Sequence, residues 1–310
     1  MFVSGSFQSL CVFLAIFVGI YLGRFETIRW LSEHLITPFL FLMLLGIFLN
    51  IPIGEISRAY RGGRFFLLSL AVNFLATPAV AYLLGLFFLR EEPALWIGFL
   101  MLLVTPCTDW YLVFTAMAGG NLPLSLSILP VNFLLQVALL PVYLELFFAE
   151  EGSVDMWSIL RGIVIVILIP LLLTQILRRT GLAGKLSLLE KGQTLFLALA
   201  ITAMFASQGE AIKANPLLFL KMLPPLFFFF LFAFLSGMLL GRLFLKSYRD
   251  TASLTFTLMA RNSPIALAIA LTAFEDEPLV ALALVIGPLI ELPVLFITAR
   301  GLLFLRRLGL

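Results

Sequence analysis

The chain has 310 residues, of which 62% are hydrophobic and only 12% charged, with a mean hydropathy of +1.13 and a formal net charge of +3. Soluble domains run at roughly 45–50% apolar and about 25% charged, so this balance excludes a soluble enzyme or a nucleic-acid-binding domain and defines an all-α polytopic membrane protein. Two cysteines and one histidine exclude a disulfide framework, a zinc cluster and histidine-based catalysis.

Ten apolar stretches approach the ~20 residues a spanning helix needs. In chain order they cover 7–23, 35–53, 65–89, 94–118, 123–148, 157–177, 193–208, 217–245, 251–274 and 278–304. The connections near 178–192 and 207–216 are too short to build a separate core, so residues 1–310 are expected to form one transmembrane domain. The first stretch has no basic residue ahead of it and no small-residue cleavage site, and is expected to be a retained helix rather than a signal peptide. His34 is expected in the short loop that follows it.

Basic residues stay on the cytoplasmic side of membrane proteins. Assigning loops alternately, one side collects 13 of them, among them Arg58, Arg61, Arg64, Arg178, Arg179, Arg306 and Arg307, and the other six, with Arg261 left at membrane depth. Both termini should therefore be cytoplasmic. Five helices per half is an odd number, so the second half (about 151–310) must be inverted relative to the first (about 1–150), an inverted five-plus-five repeat.

Segments four and nine are interrupted at mid-depth by Thr105-Pro106-Cys107-Thr108-Asp109 and Arg261-Asn262-Ser263-Pro264. Hydrocarbon offers no water to freed backbone groups, so a helix broken there faces protein or a water-filled cavity. Two such breaks at corresponding positions of two halves point to the binding site of a secondary transporter; a packing kink is the alternative. Segments five and ten match as well, each with two prolines, Pro130/Pro141 and Pro288/Pro293. A hydroxyl residue before proline reads as an N-cap followed by a first-turn proline, so each break is expected to start a half-helix whose N–H groups favour an anion or a polarised oxygen.

Ionisable groups at this depth cost about 2.5–3.5 kcal/mol each even on lenient scales and are site candidates by default. They are Asp109, Arg261 and Glu291. If the two breaks cross, Asp109 and Arg261 could pair, as a structural ion pair or as part of a substrate site. Glu291 would then be left to bind and release a proton as the coupling residue, or else to hydrogen-bond a neighbouring helix. Cys11 reads as a small hydrophobe. Cys107 is expected one residue inside a half-helix N-terminus, where a soft-metal-binding thiolate is more accessible. The run Phe227 to Phe230 reads as lipid-facing or packing residues rather than a cation box. The acids Glu91-Glu92, Glu150-Glu151 and Glu275-Asp276-Glu277 read as solvated caps. No P-loop or dinucleotide fingerprint is present, and no cofactor or resident metal is implied.

Pro106-Cys107-Thr108, Gly120-Asn121, Val131-Asn132 with Gln136, Met204-Phe205 to Gly209, and Tyr248, Thr251, Leu254 and Phe256-Thr257 together resemble the arsenite-efflux permeases of the bile acid/arsenite transporter superfamily. Gly287-Pro288-Leu289-Ile290-Glu291-Leu292-Pro293 extends the likeness through segment ten. The resemblance spans essentially the whole chain. It implies ten helices in two bundles, a core and a panel, with alternating access, and functional roles for the cysteine and glutamate that fall on Cys107 and Glu291. The chain departs from that branch at Arg261-Asn262-Ser263-Pro264, where the permeases read Asn-Asn-Phe-Glu. Thr257, Arg261, Tyr111 and Leu112 stand where the sodium-coupled branch places its sodium ligands. An arginine in such a site puts a fixed positive charge where sodium would bind, which favours a proton as coupling ion.

The expected function is proton-coupled export of arsenite or a related metalloid from the cell membrane. Cys107 would engage the substrate, Glu291 would carry the proton, and Thr108, Asp109, Asn132, Arg261, Asn262 and Ser263 would line the cavity. The alternatives are sodium- or proton-coupled symport of a small organic anion paired with Arg261, and a transport-dead sensor that keeps the fold. No nucleophile–base pair suggests an enzyme.

Overall fold

A computed structural model describes residues 5–50, 63–108, 111–148, 155–180, 187–207, 216–274 and 276–307. Asp109 lies outside the described residues, as do Arg58, Arg61, Glu150, Glu151, Lys213 and Glu275. Every regular element among the described residues is helical. Among the described residues, five helices are long and apolar enough to cross a membrane: Glu26–Gly46, Arg64–Phe88, Leu122–Phe148, Leu220–Leu245 and Pro278–Arg306; Pro93–Leu103, Ala198–Ser207 and Ser263–Ala273 are shorter apolar helices.

The chain divides into two compact units. The first comprises 1–51, 155–220 and 264–285. Within it α1 (Gly5–Leu22) and α2 (Glu26–Asn50) pack against the helix Ser187–Ser207. His34 lies inside α2, its Nδ1 2.8 Å from the Trp30 carbonyl, not in a loop. Helix formation here starts before the chain turns apolar, because Glu26 and Glu33 occupy exposed positions in the early turns. Gly19 and Gly23 form a small-xxx-small face, and a Cβ on either would come within 2.6 Å of the Thr202 or Ala206 carbonyl. The glycines let two backbones touch, which is how helices associate where lipid gives no hydrophobic drive.

The second unit comprises 52–154, 221–263 and 286–310. Its helices are α3 (Arg64–Phe88), α4 (Pro93–Leu103), α5 (Tyr111–Met117), α6 (Leu122–Phe148) and, after the first unit's α7 (156–179) and α8 (Ser187–Ser207), α9 (216–245) and α10 (Tyr248–Met259). The second half of α12 (Pro278–Arg307) completes the second unit, while α11 (Ser263–Ala273), which follows α10 in the chain, and the start of α12 fall in the first. A second small-xxx-small pair, Gly237 and Gly241 on α9, meets Thr255 and Thr251 of α10, where an added Cβ would lie 2.5 Å from each threonine. Pro130/Pro141 and Pro288/Pro293 lie inside the continuous helices α6 and α12. Among the described residues, the interruptions fall in segments four and nine.

Inside α3 the turn Val72–Ala76 is a π-helical turn. Such one-residue expansions re-aim a side chain and recur at functional sites; here the side chain is Asn73. The start of α6 is fixed by Asn121, whose Oδ1 accepts from Leu124 N at 3.3 Å while its Nδ2 donates to Asp250 Oδ1 at 2.7 Å. The turn before it needs a left-handed residue, supplied by Gly119 at φ 70°. Glu92, expected as a solvated cap, is partly exposed and also pairs with Lys221 at 2.9 Å.

Candidate functional site

A helix carbonyl is normally taken by the N–H four residues on, so a break leaves carbonyls and N–H groups that must find partners elsewhere. In α10 the last regular bond is Ala260 N–H to Phe256 O. The next two N–H groups are diverted: Arg261 donates to Glu291 Oε1 at 2.9 Å, and Asn262 to Thr105 O at 2.7 Å. In α4 the last is Val104 N–H to Leu100 O, and Cys107 N–H donates across to Ala260 O at 3.0 Å. Pro106 and Arg261 thus form an antiparallel bridge, and the two broken segments cross as extended chains joined by backbone hydrogen bonds.

The carbonyls left behind are satisfied by side chains. Arg261 Nη1 donates to Leu103 O at 2.7 Å, and Nη2 to Leu258 O and, at 3.0 Å, to Asn73 Oδ1. Asn73 Nδ2 in turn donates to Thr257 O at 3.3 Å. The Thr105 hydroxyl points back to Met101 O and Leu102 O, the latter deprived of a partner by Pro106. One arginine therefore closes the C-terminal ends of both α4 and α10. Its guanidinium lies 4.9 Å over the Phe229 ring, and Arg261 is fully buried.

Several sequence expectations change here. Thr105-Pro106 does not begin a half-helix: Cys107 is non-helical, because its N–H is used in cross-pairing and the Thr105 hydroxyl bonds backward instead of capping forward. Ser263-Pro264 does begin one, α11. Arg261 bonds to protein oxygens, while Asp109, its expected partner, lies outside the described residues. Phe229 is not merely a packing residue, since its face carries the guanidinium; Phe227 and Phe228 are exposed as expected.

The structure brings together Cys107, Thr108, Arg261, Asn262, Ser263 and Glu291. Cys107 is buried and outside any disulfide. Asn262 Nδ2 donates to Thr108 Oγ1 at 3.0 Å, tying the two breaks by side chains as well. Glu291 is 1% exposed, and its Oε2 has no hydrogen-bond partner among the described residues. Asn132 lies on α6, outside this hydrogen-bonded cluster; it and Gln136 one turn later are buried, and their amide atoms have no hydrogen-bond partner among the described residues. Buried amides at membrane depth are costly unless something polar reaches them, so the pair marks one face of α6 as polar. Asn73 was not anticipated. Its signal is present in the sequence, since Ser69, Asn73 and Thr77 recur every fourth residue in an otherwise apolar run and are all buried.

A multi-pass helical membrane protein whose two broken segments cross over a buried carboxylate and a buried thiol has the architecture of a solute transporter. The chain belongs to the Sodium Bile acid symporter family, which it matches over residues 37–215. It is a transporter, not an enzyme. It is 27% identical over 257 residues to the Arsenical-resistance protein Acr3 of Corynebacterium glutamicum, covering 76% of this chain and 69% of that protein. It is 25% identical to the protein of the same name from Alkaliphilus metalliredigens, over 93% of this chain and 89% of the relative. The uncharacterized transporter slr0944 of Synechocystis is 27% identical over 93% of this chain and 85% of its own length.

Proposed function

We propose that this transporter exports trivalent arsenic, as arsenite or a related metalloid species, across the cell membrane in exchange for protons. The observation that carries the reading is the junction of a buried cysteine with a buried glutamate at the crossing of two broken segments. A thiolate is a soft ligand suited to a soft metalloid, and the carboxylate that accepts from the Arg261 N–H at the same crossing can hold a proton in one direction of the cycle. Cys107 engages the metalloid, Glu291 carries the proton, and Thr108, Asp109, Asn132, Arg261, Asn262 and Ser263 form the surroundings. The arsenical-resistance names of two relatives support the choice of substrate.

The wider frame is a single transmembrane domain of ten crossings, an inverted repeat of about 1–150 and 151–310 with both termini cytoplasmic. Each compact unit draws helices from both halves: α1 and α2 with α7 and α8 in one, α3 to α6 with α9 and α10 in the other. That interleaving is what two interlocked repeats of the same plan produce. The organic-anion alternative needs a free guanidinium fork, and both terminal nitrogens of Arg261 are engaged by protein oxygens, which favours the metalloid.

The test is arsenite accumulation in efflux-deficient cells expressing wild type, Cys107→Ser or Glu291→Gln, with the pH gradient imposed or collapsed. Wild type alone should lower accumulation, and only with the gradient. If wild type, present in the membrane, behaves like empty vector, the arsenite reading fails.

A further inference from the structure

In transporters built from broken helices, half-helix C-terminal ends and unwound carbonyls hold the coupling cation. They suit the task because C-terminal carbonyls carry the negative end of the helix dipole and oxygen is the preferred ligand of hard cations. This chain has such a set. Leu103 O and Leu258 O come from the C-terminal ends of two half-helices and Asn73 Oδ1 from the π turn of α3, and all three close on one small region inside the protein, Leu103 O on one terminal nitrogen and the other two on the second nitrogen of a single side chain. What stands there is the guanidinium of Arg261, with the Phe229 ring face on it. An aromatic face also favours a cation.

We infer that Arg261 is a tethered cation: its guanidinium fills a monovalent-cation site made by Leu103 O, Leu258 O and Asn73 Oδ1, and that site takes up a free ion only when the side chain is removed. The charge that stabilises the crossing is then covalently fixed and cannot dissociate during a transport cycle. Glu291, whose Oε1 holds the Arg261 N–H, is left as the carboxyl group among the described residues of this cluster able to exchange a cation, and that cation is a proton. The inference bears on the coupling proposed above but does not depend on the substrate being arsenite.

Thermal unfolding of purified protein in detergent tests it without any transport assay. Wild type, Arg261→Lys and Arg261→Ala are compared in NaCl, KCl, LiCl and choline chloride at equal ionic strength. Wild type and Arg261→Lys should unfold at the same temperature in every salt. Arg261→Ala should unfold earlier in choline and be raised by several degrees in Na+ or another small alkali ion, the midpoint climbing with ion concentration as ligand linkage requires. Recovery of Arg261→Ala in Na+ but not in choline is the extreme form of the same result. A folded Arg261→Ala indifferent to all the ions overturns the inference, as does a wild type that Na+ stabilises saturably. Failure to recover Arg261→Ala even in Na+, with Arg261→Lys intact, overturns it too, since the ion should have replaced the side chain. An arsenite-inactive wild type with the expected salt pattern would refute the substrate and leave the tethered cation standing.

Discussion

Replacing Asn73 with alanine removes two hydrogen bonds at once, the one its amide oxygen accepts from Arg261 Nη2 and the one its amide nitrogen gives to Thr257 O. The first has a charged donor and is worth about 1.5–3 kcal/mol. The second is neutral and, at 3.3 Å, long; neutral hydrogen bonds measured inside a membrane protein average about 0.6 kcal/mol. Arg261 Nη2 keeps the Leu258 carbonyl, so the guanidinium is not stripped, and the expected loss is about 2–3.5 kcal/mol. Unfolding in mixed micelles across a detergent series would measure it, and a double-mutant cycle with Arg261→Ala, run in choline chloride so that no small cation takes the place of the guanidinium, isolates the shared bond. The cycle should return a coupling of about 1.5–3 kcal/mol, because residues in one hydrogen-bond network are not additive. A loss under about 0.5 kcal/mol, or full additivity with Arg261→Ala, would refute the account in which Asn73 fixes the arginine.

Glu291→Gln keeps an acceptor for the Arg261 N–H and should unfold near wild type, whereas Glu291→Leu orphans that buried donor and should cost about 1–3 kcal/mol; equal stability of the two would show that the bond is unimportant. Gly237→Val places a Cβ against the Thr255 backbone and should destabilise by about 1–3 kcal/mol through overpacking, while Gly301→Ala, which meets nothing within 4 Å, should stay within about 0.5 kcal/mol. Asp155 caps α7, and the Ser158 hydroxyl together with the Trp157 and Ser158 amides holds its carboxyl below the usual carboxylate range. A lowered folded-state pKa gives stability that is present above the unfolded carboxylate range and is lost as pH falls through the folded value. Asp155→Ala should therefore have a shallower acid limb in a stability-versus-pH series, and an unchanged limb would remove the cap from the account.

What could be read from the sequence divides along a physical line. Hydropathy marks where a segment meets lipid, so it located the apolar runs, but it missed that α2 starts at Glu26, nine residues before the run at 35. The small-xxx-small spacings Gly19/Gly23 and Gly237/Gly241 are visible in the chain, as is the fourfold stripe Ser69, Asn73, Thr77. Which partner each meets is not visible. Arg261 was recognisable as a costly buried charge, yet two of its acceptors are the carbonyls of Leu103 and Leu258, and backbone oxygens have no signature in a sequence.

The two hydroxyl-proline pairs make the same point more sharply, because one local signature has two outcomes. At Ser263-Pro264 a helix begins; at Thr105-Pro106 it does not. An N-cap requires the hydroxyl to accept from N–H groups two or three residues ahead. Beyond Thr105, the N–H of Cys107 is claimed by the Ala260 carbonyl, and the Thr105 hydroxyl turns back to Met101 and Leu102, whose carbonyls sit at the end of α4. Capping forward would release those carbonyls and the cross-chain bond together, and at membrane depth no water would replace them. The cross-pairing therefore overrides the local preference, and it holds Cys107 in extended backbone beside Arg261 rather than burying its amide in a helix.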